Sequence, residues 1–590
     1  MNTSPSRQGR YVIAGIMIGA IGLGAGVSTG CGSEASIDSA SDGGAEASPT
    51  VDASDAGTLV SDASTSNTSP RKTCTVTPSS EANVIATDRG LVRGAETNNV
   101  ERFLGIPFAK PPVAALRFHA PVDNDCETTV RDATKYASAC LQQGGASTYG
   151  NEDCLYLNVW TPKGGAAKKP VLFFIHGGAE VAGSANGTAS GILSSNLYDG
   201  QKFAETRDVV VVSTNYRLGA LGFLAHPALD AENAEERKVA AAATGGTYAG
   251  GGTSGNYAIR DLIMALQWTK ANVASFRGDP TRVMIFGESA GAVNTCALMA
   301  SPLAKGLFSS ALMQSGGCTQ PTMAEREKPG VEFATNKKCE GANTLACLRS
   351  LPSSDLVSSA LAAVNYLKPM DIKTMWHMTY GPNVDGEVLR DQPIDAFRKG
   401  DYNKVPFTIG SNAHETELFL PAVINTCIDY WSDVTLKFGQ FKANQVFEKY
   451  PCLSYTLPRY ATVEWTTDAM FTCEARRIAR AVSKSQAEPV RRYQYTHIPS
   501  GISGLLRAAH ATELTFLFGT KSSPTEGEKK MISNMQALWS QFAASGNPNG
   551  GGLVSWPVYA SPADEVLMID EELSVRAKVK ESECDFWDNF

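Results

Sequence analysis

Short runs rich in β-branched and aromatic residues recur along the chain at 171–175, 209–213, 283–286, 405–409 and 490–496. The first three are almost wholly apolar, as strands buried on both faces require. Between several runs the spacing turns helical, as at 261–273, where Leu262, Ala265, Leu266 and Val273 fall on one face. Buried strands alternating with helices predict an α/β protein with a mostly parallel central sheet flanked by helices. Residues 238–252, rich in Ala and Gly, are expected to form a surface insertion.

The amino terminus departs from this pattern. Arg7 and Arg10 precede an apolar stretch at 11–27 and then small residues up to Gly30, the layout of a signal peptide over residues 1–30. That stretch is short and Gly-rich for a permanent membrane helix. Ser28, Thr29, Gly30 and Cys31 resemble the end of a bacterial lipobox but lack the aliphatic residue three before the cysteine. A lipid on Cys31, with membrane attachment, and plain cleavage with secretion both stay open. Residues 31–72 are acidic and rich in Ser, Ala and Asp. They carry too little apolar surface to fold and are expected to form a disordered tether, with ends on the order of 35 Å apart. The folded domain is expected over residues 73–590.

Composition narrows the class. The 590 residues are 43% hydrophobic and 19% charged, as in an ordinary globular enzyme. Of the net charge of -8, most sits in the first 70 residues, so the remaining body is near neutral and offers no basic face for nucleic acid. Thirteen cysteines suit an oxidising compartment, and an even number remains once Cys31 is set aside. No Cys-x-x-Cys pair occurs and the seven histidines are scattered, so no metal site and no cofactor are expected.

The chemistry centres on residues 276–291, Phe-Arg-Gly-Asp-Pro-Thr-Arg-Val-Met-Ile-Phe-Gly-Glu-Ser-Ala-Gly. An apolar strand runs into Gly287-Glu-Ser-Ala-Gly291 and small helix-compatible residues follow, which is the strand-turn-helix context of a nucleophile elbow with Ser289 at its tip. A serine hydroxyl needs a base, and on such a sheet the order is Ser, acid, His. That leaves His377, His414, His497 and His510. His497 falls in an apparent strand, whereas His510 follows a Gly-rich turn and is the favoured base. The acid is expected just past the strand at 405–409, at Glu415, with Glu417 and Asp385 as rivals. The strand at 171–175 leads into His176-Gly-Gly-Ala179, a loop suited to an oxyanion hole built from the amides of Gly178, Ala179 and Ala290.

These residues resemble the type-B carboxylesterase and cholinesterase family over nearly all of 85–590. The stretch at 152–160, Glu-Asp-Cys-Leu-Tyr-Leu-Asn-Val-Trp, and residues 276–291 are similar to the family's two signatures. Further matches lie at 103–108, 215–223 and 546–548. The resemblance implies an α/β-hydrolase fold, a triad of Ser289, Glu415 and His510, and action on small-molecule esters. It also implies three disulfides, Cys140 with Cys154, Cys339 with Cys347 and Cys473 with Cys584. A further pair, Cys427 with Cys452, is entertained, and the remaining cysteines have no assignment. Two positions depart from the family's pattern: Glu180 stands where an aromatic residue is usual, and Thr416 replaces the glycine after the acid. The cholinesterase tryptophan expected between the first two paired cysteines is missing, since residues 141–153 hold only Tyr149 as an aromatic.

The expected function is hydrolysis of carboxylic esters through an acyl-enzyme at Ser289. A non-catalytic neuroligin-like binding module on the same fold is the competing class. Amidase or lipase activity from the same triad is the other alternative.

Overall fold

The computed structural model describes residues 74–144, 147–164, 168–187, 196–243, 247, 251–357, 371, 374–420 and 424–590. The expected signal peptide, Cys31 and the tether lie outside the described residues. Among the described residues no helix is long and apolar enough to cross a membrane.

An eleven-stranded sheet organises the unit Arg71–Phe590. Its strands in chain order are β1 (Ala95–Thr97), β2 (Val100–Pro107), β3 (Tyr156–Pro162), β4 (Lys169–Ile175), β5 (Val210–Thr214), β6 (Gly278–Glu288), β7 (Ser310–Gln314), β8 (Phe407–Asn412), β9 (Val490–Tyr495), β10 (Glu565–Ile569) and β11 (Ser574–Ala577). Across the sheet they run β11-β10-β9-β8-β7-β6-β4-β5-β3-β2-β1. The pairings from β10 to β5 are parallel and those at the two ends antiparallel. The core strands are buried on both faces because successive side chains point to opposite sides. Val171, Phe173, Ile175, Val212 and Ile285 join one apolar cluster, and Leu172, Phe174, Val211, Met284 and Phe286 join the other.

All five predicted runs lie in this sheet. The run at 490–496 ends as a strand at Tyr495, so His497 is not a strand residue; its Nδ1 lies 2.9 Å from Asp570. The predicted helix at 261–273 is α1, Tyr257–Asn272. Residues 238–243 of the expected insertion continue a helix, Pro227–Ala243, with Val239 exposed. Strand β7, with the sequence Ser-Ala-Leu-Met-Gln, was not predicted: it has no β-branched residue, and its Ala, Leu and Met suit a helix equally well.

Six disulfides fasten the unit: Cys74–Cys126, Cys140–Cys154, Cys296–Cys318, Cys339–Cys347, Cys427–Cys452 and Cys473–Cys584. They mark an extracellular or exported protein. The three pairs carried over from the resemblance are among them, as is the pair Cys427–Cys452. Cys296–Cys318 ties helix α2 (Ala290–Ala300) to the segment after β7.

Candidate active site

Register brings the carboxyl ends of the central strands to one edge, where Gly287 of β6 pairs with Ile175 of β4 and Glu288 with Gln314 of β7. In open parallel sheets this edge carries the ligand site. Ser289 follows β6 at φ 59° and ψ -123° and starts α2. A non-glycine residue in this region is strained, and the close packing around it holds it there. A Cβ on Gly291 would lie 2.1 Å from the Ile175 carbonyl oxygen, so the turn tolerates nothing larger than glycine. Ser289 is half-buried between buried neighbours and its side chain does not cap the helix.

His510 is buried, and its Nδ1 sits 2.7 Å from Glu415 Oε2. Glu415 is fully buried just beyond β8; its Oε1 accepts the Asn412 amide at 2.6 Å, and its carbonyl accepts the His510 amide at 3.1 Å. The rivals are engaged elsewhere. Glu417 accepts from Arg459 Nε at 2.8 Å, and Asp385 caps the amides of Glu387 and Leu389. Thr416 turns into the protein and meets Thr466 Oγ1 at 2.5 Å, leaving the Glu415 carboxylate where the imidazole needs it.

On its other side, His510 Nε2 lies 3.0 Å from Glu288 Oε1, so the ring faces the elbow that carries Ser289. Burial opposes a charged imidazole, but the carboxylates of Glu288, Glu415 and Glu513 outweigh it and raise the His510 pKa. Burial likewise raises the Glu288 pKa, against the opposing pull of His510. Glu513 is also buried, fixed by Gln314 Nε2 at 3.0 Å and Asn412 Nδ2 at 2.6 Å. The sequence reading missed both Glu288 and Glu513 as site residues. Glu288 had a signal, since it sits inside the elbow motif.

The loop after β4 lies against the nucleophile. A Cβ on Gly177 would be 2.9 Å from Ser289 Cβ and one on Gly178 2.0 Å from the Ala182 carbonyl oxygen, so both positions need glycine. Gly178, Ala179 and Glu180 all adopt positive φ, and the Gly178 carbonyl closes the turn by accepting the Val181 and Ala182 amides. Glu180, which stands where the family usually has an aromatic residue, is fully buried and bonded to Asn294. Apolar side chains line the other flank: Phe419 and Phe471 have ring centroids 4.9 and 5.3 Å from that of His510, and Phe471 packs with Val293, Trp376 and Met470.

Among the described residues, His119, Glu232 and Glu236 are close enough to share a metal ion. Arg349 already donates to Glu232 at 2.7 Å through Nη1 and reaches His119 Nε2 at 2.6 Å, so a guanidinium supplies the cation.

Sheet order, elbow and loop together define an α/β-hydrolase. Residues 81–233 and 246–587 match the carboxylesterase family, and the break at 234–245 overlaps the expected insertion at 238–252. The fumonisin B1 esterase of Sphingopyxis macrogoltabida is 34% identical over 492 residues, covering 80% of this chain and 83% of that protein. The para-nitrobenzyl esterase of Bacillus subtilis (strain 168) is 31% identical over 511 residues, covering 83% and 96%. A solved PNB esterase structure superposes with a TM-score of 0.71 at 29% identity, over 86% of this chain and 99% of that one. The chain belongs to the carboxylesterase family and is a carboxylic ester hydrolase.

Proposed function

We propose that this enzyme hydrolyses esters through an acyl-enzyme on Ser289, with His510 as general base and then acid and Glu415 orienting it. The observation that carries this reading is the imidazole held at 2.7 Å by Glu415 while its other nitrogen faces the strained elbow. In the first step Ser289 Oγ attacks the ester carbonyl carbon and its proton passes to His510 Nε2. Glu415 fixes the tautomer and stabilises the imidazolium without taking the proton. The amides of Gly178, Ala179 and Ala290 receive the oxyanion, each worth about 10²–10³ in rate. His510 then protonates the leaving alcohol, and water repeats the sequence on the acyl-enzyme. A para-nitrobenzyl esterase among the relatives supports starting with esters whose alcohol part carries an aromatic ring.

For the amino terminus we propose export by a cleaved signal over 1–30, with lipidated Cys31 as the new first residue and 31–72 as its acidic tether. A mature protein that begins at Cys31 and leaves the membrane fraction on Cys31→Ser supports this, whereas a retained Met1 points to a signal anchor.

The test of the catalytic reading is a series of p-nitrophenyl esters of rising acyl length together with an organophosphonate label. Wild type should turn the esters over and take one label on Ser289, and Ser289→Ala should fold, lose turnover and take none. A label on any other serine would falsify the assignment.

A further inference from the structure

Glu180 breaks a rule of buried groups. It is fully buried, yet its only hydrogen-bonded carboxyl oxygen is Oε2, which accepts from Asn294 Nδ2 at 3.2 Å. Asn294 is also fully buried and lies one turn into α2, beyond Ala290. The two remaining oxygens of the pair, Glu180 Oε1 and Asn294 Oδ1, are buried without a hydrogen-bond partner among the described residues. Two buried acceptors without a donor, one on each partner of the pair, are costly. One proton on Glu180 satisfies both, because Oε1–H then donates to Asn294 Oδ1 and closes a ring of two hydrogen bonds between a carboxylic acid and an amide.

We propose that this acid–amide pair clamps the oxyanion loop onto the helix that begins at the nucleophile, making Glu180 a positioning residue for ester hydrolysis. The proposal rests on the oxyanion assignment above and adds what holds that loop in place. Ala179 and Glu180 follow one another at φ 53° and 63°, a backbone that L residues disfavour, so the loop needs an anchor. The Glu180 carbonyl supplies one by accepting the Gly219 amide at 2.7 Å. Its side chain supplies the second, to α2.

The surroundings suit a neutral acid. Burial pushes the Glu180 carboxyl up to about 8, against the opposing pull of Asn294, Tyr216 and Arg326. Arg326 directs its guanidinium to carbonyls instead, donating to Met378 and Thr379 at 2.8 and 2.7 Å and to Pro382 at 3.2 Å. The Tyr216 hydroxyl donates to the His176 carbonyl at 2.8 Å, and burial pushes the stacked His176 imidazole down to about 4, so it is neutral. A neutral Glu180 also keeps a negative charge away from the amides that must receive the oxyanion.

The test measures kcat and KM separately on p-nitrophenyl acetate for Glu180→Ala, Glu180→Gln, Asn294→Ala and the Glu180→Ala/Asn294→Ala double variant, with thermal melts as folding controls. Loss of loop alignment should lower kcat by about 10–100-fold in each alanine variant while KM stays within about threefold. The double variant should be no worse than either single. Glu180→Gln should rescue kcat, since two amides make the same pair of hydrogen bonds. It should also abolish a decline in kcat that wild type shows as pH rises through about 8. Asn294→Ala breaks the clamp from the helix side and carries the test if Glu180→Ala does not fold. Multiplicative losses, an effect on KM alone, or a Gln variant as poor as Ala would overturn the proposal. Normal kcat in all four variants while Ser289→Ala is dead would remove the clamp and leave the catalytic reading intact.

Discussion

At the scale of single residues, the site is a chain of buried acids around one imidazole. Glu415 acts on Nδ1 and Glu288 on Nε2, so their substitutions should differ in kind. Glu415→Gln keeps the shape but loses the charge that stabilises the imidazolium, and kcat should fall by about 10³–10⁴-fold. Combined with Ser289→Ala it should cost almost nothing more, because the two act as a unit. Near-normal turnover in Glu415→Gln would hand the acid role to Glu417 or Asp385. Glu288→Gln should instead move the pH profile. Removing a carboxylate beside the imidazole destabilises its protonated form, so the pKa of His510 drops and the acid limb of kcat/KM shifts to lower pH. An acid limb that stays put or moves upward contradicts that coupling.

Helix and strand ends show why some of this was legible in the sequence and some was not. The elbow could be read because its chemistry is local: a strand, two glycines and a serine within a few residues. Glu415 was read less sharply, since only the fold shows that Glu417 belongs to Arg459. Strand β7 escaped because Ala-Leu-Met carries no preference strong enough to separate strand from helix, and its burial between β6 and β8 decides the matter. The pairs Cys74–Cys126 and Cys296–Cys318 escaped because pairing follows proximity in space, not spacing along the chain. Glu180 could be flagged as a departure, but nothing in the sequence says that it points inward. Another element end lends itself to a stability measurement. Thr525 and Glu528 form a capping box at the start of α3 (Glu526–Ser545), and Glu528 also accepts the Ser500 amide and hydroxyl, both at 2.7 Å. Burial alone would raise its pKa, but these bonds and His497 outweigh it and bring it down to about 2. The charge therefore stabilises the fold above the ordinary value of 4.5, and that contribution is lost as pH falls toward 2. Glu528→Gln should cost about 1–3 kcal/mol in urea unfolding at neutral pH. The difference from wild type should narrow as the pH is taken below 4.5, and a constant gap would show that the charge is not the cause.

Across the whole molecule, the substrate is narrowed by what surrounds the catalytic edge. A permanent cation such as choline needs an open aromatic face or a carboxylate free to meet it. The loop closed by Cys140–Cys154 offers Tyr149 alone, and that ring is 41% exposed at the surface. Trp376 does adjoin the site, but its ring is packed against Gly317, meets Phe471 edge-on at 5.2 Å and donates its N–H to the Met470 carbonyl. Glu180 is turned inward toward Asn294, so its carboxyl is not presented to a ligand. Apart from the buried acids, the described residues packed on the His510 ring are Phe419 and Phe471, and Met470 and Val293 cluster with Phe471. Such a surface rewards burial of an uncharged aryl or alkyl group, at about 25 cal/mol per Å² removed from water, and its phenylalanine faces hold a quaternary ammonium less well than a tryptophan face does. Phenyl acetate and p-nitrophenyl acetate should therefore be turned over with kcat/KM at least about tenfold above acetylcholine, which corresponds to roughly 1.4 kcal/mol of transition-state binding. The comparison is made at one pH and at two ionic strengths, because a cation drawn in by long-range charge loses its advantage in salt. Acetylcholine ranking first at both ionic strengths would mean that an aromatic face or carboxylate opens to the ligand when it binds.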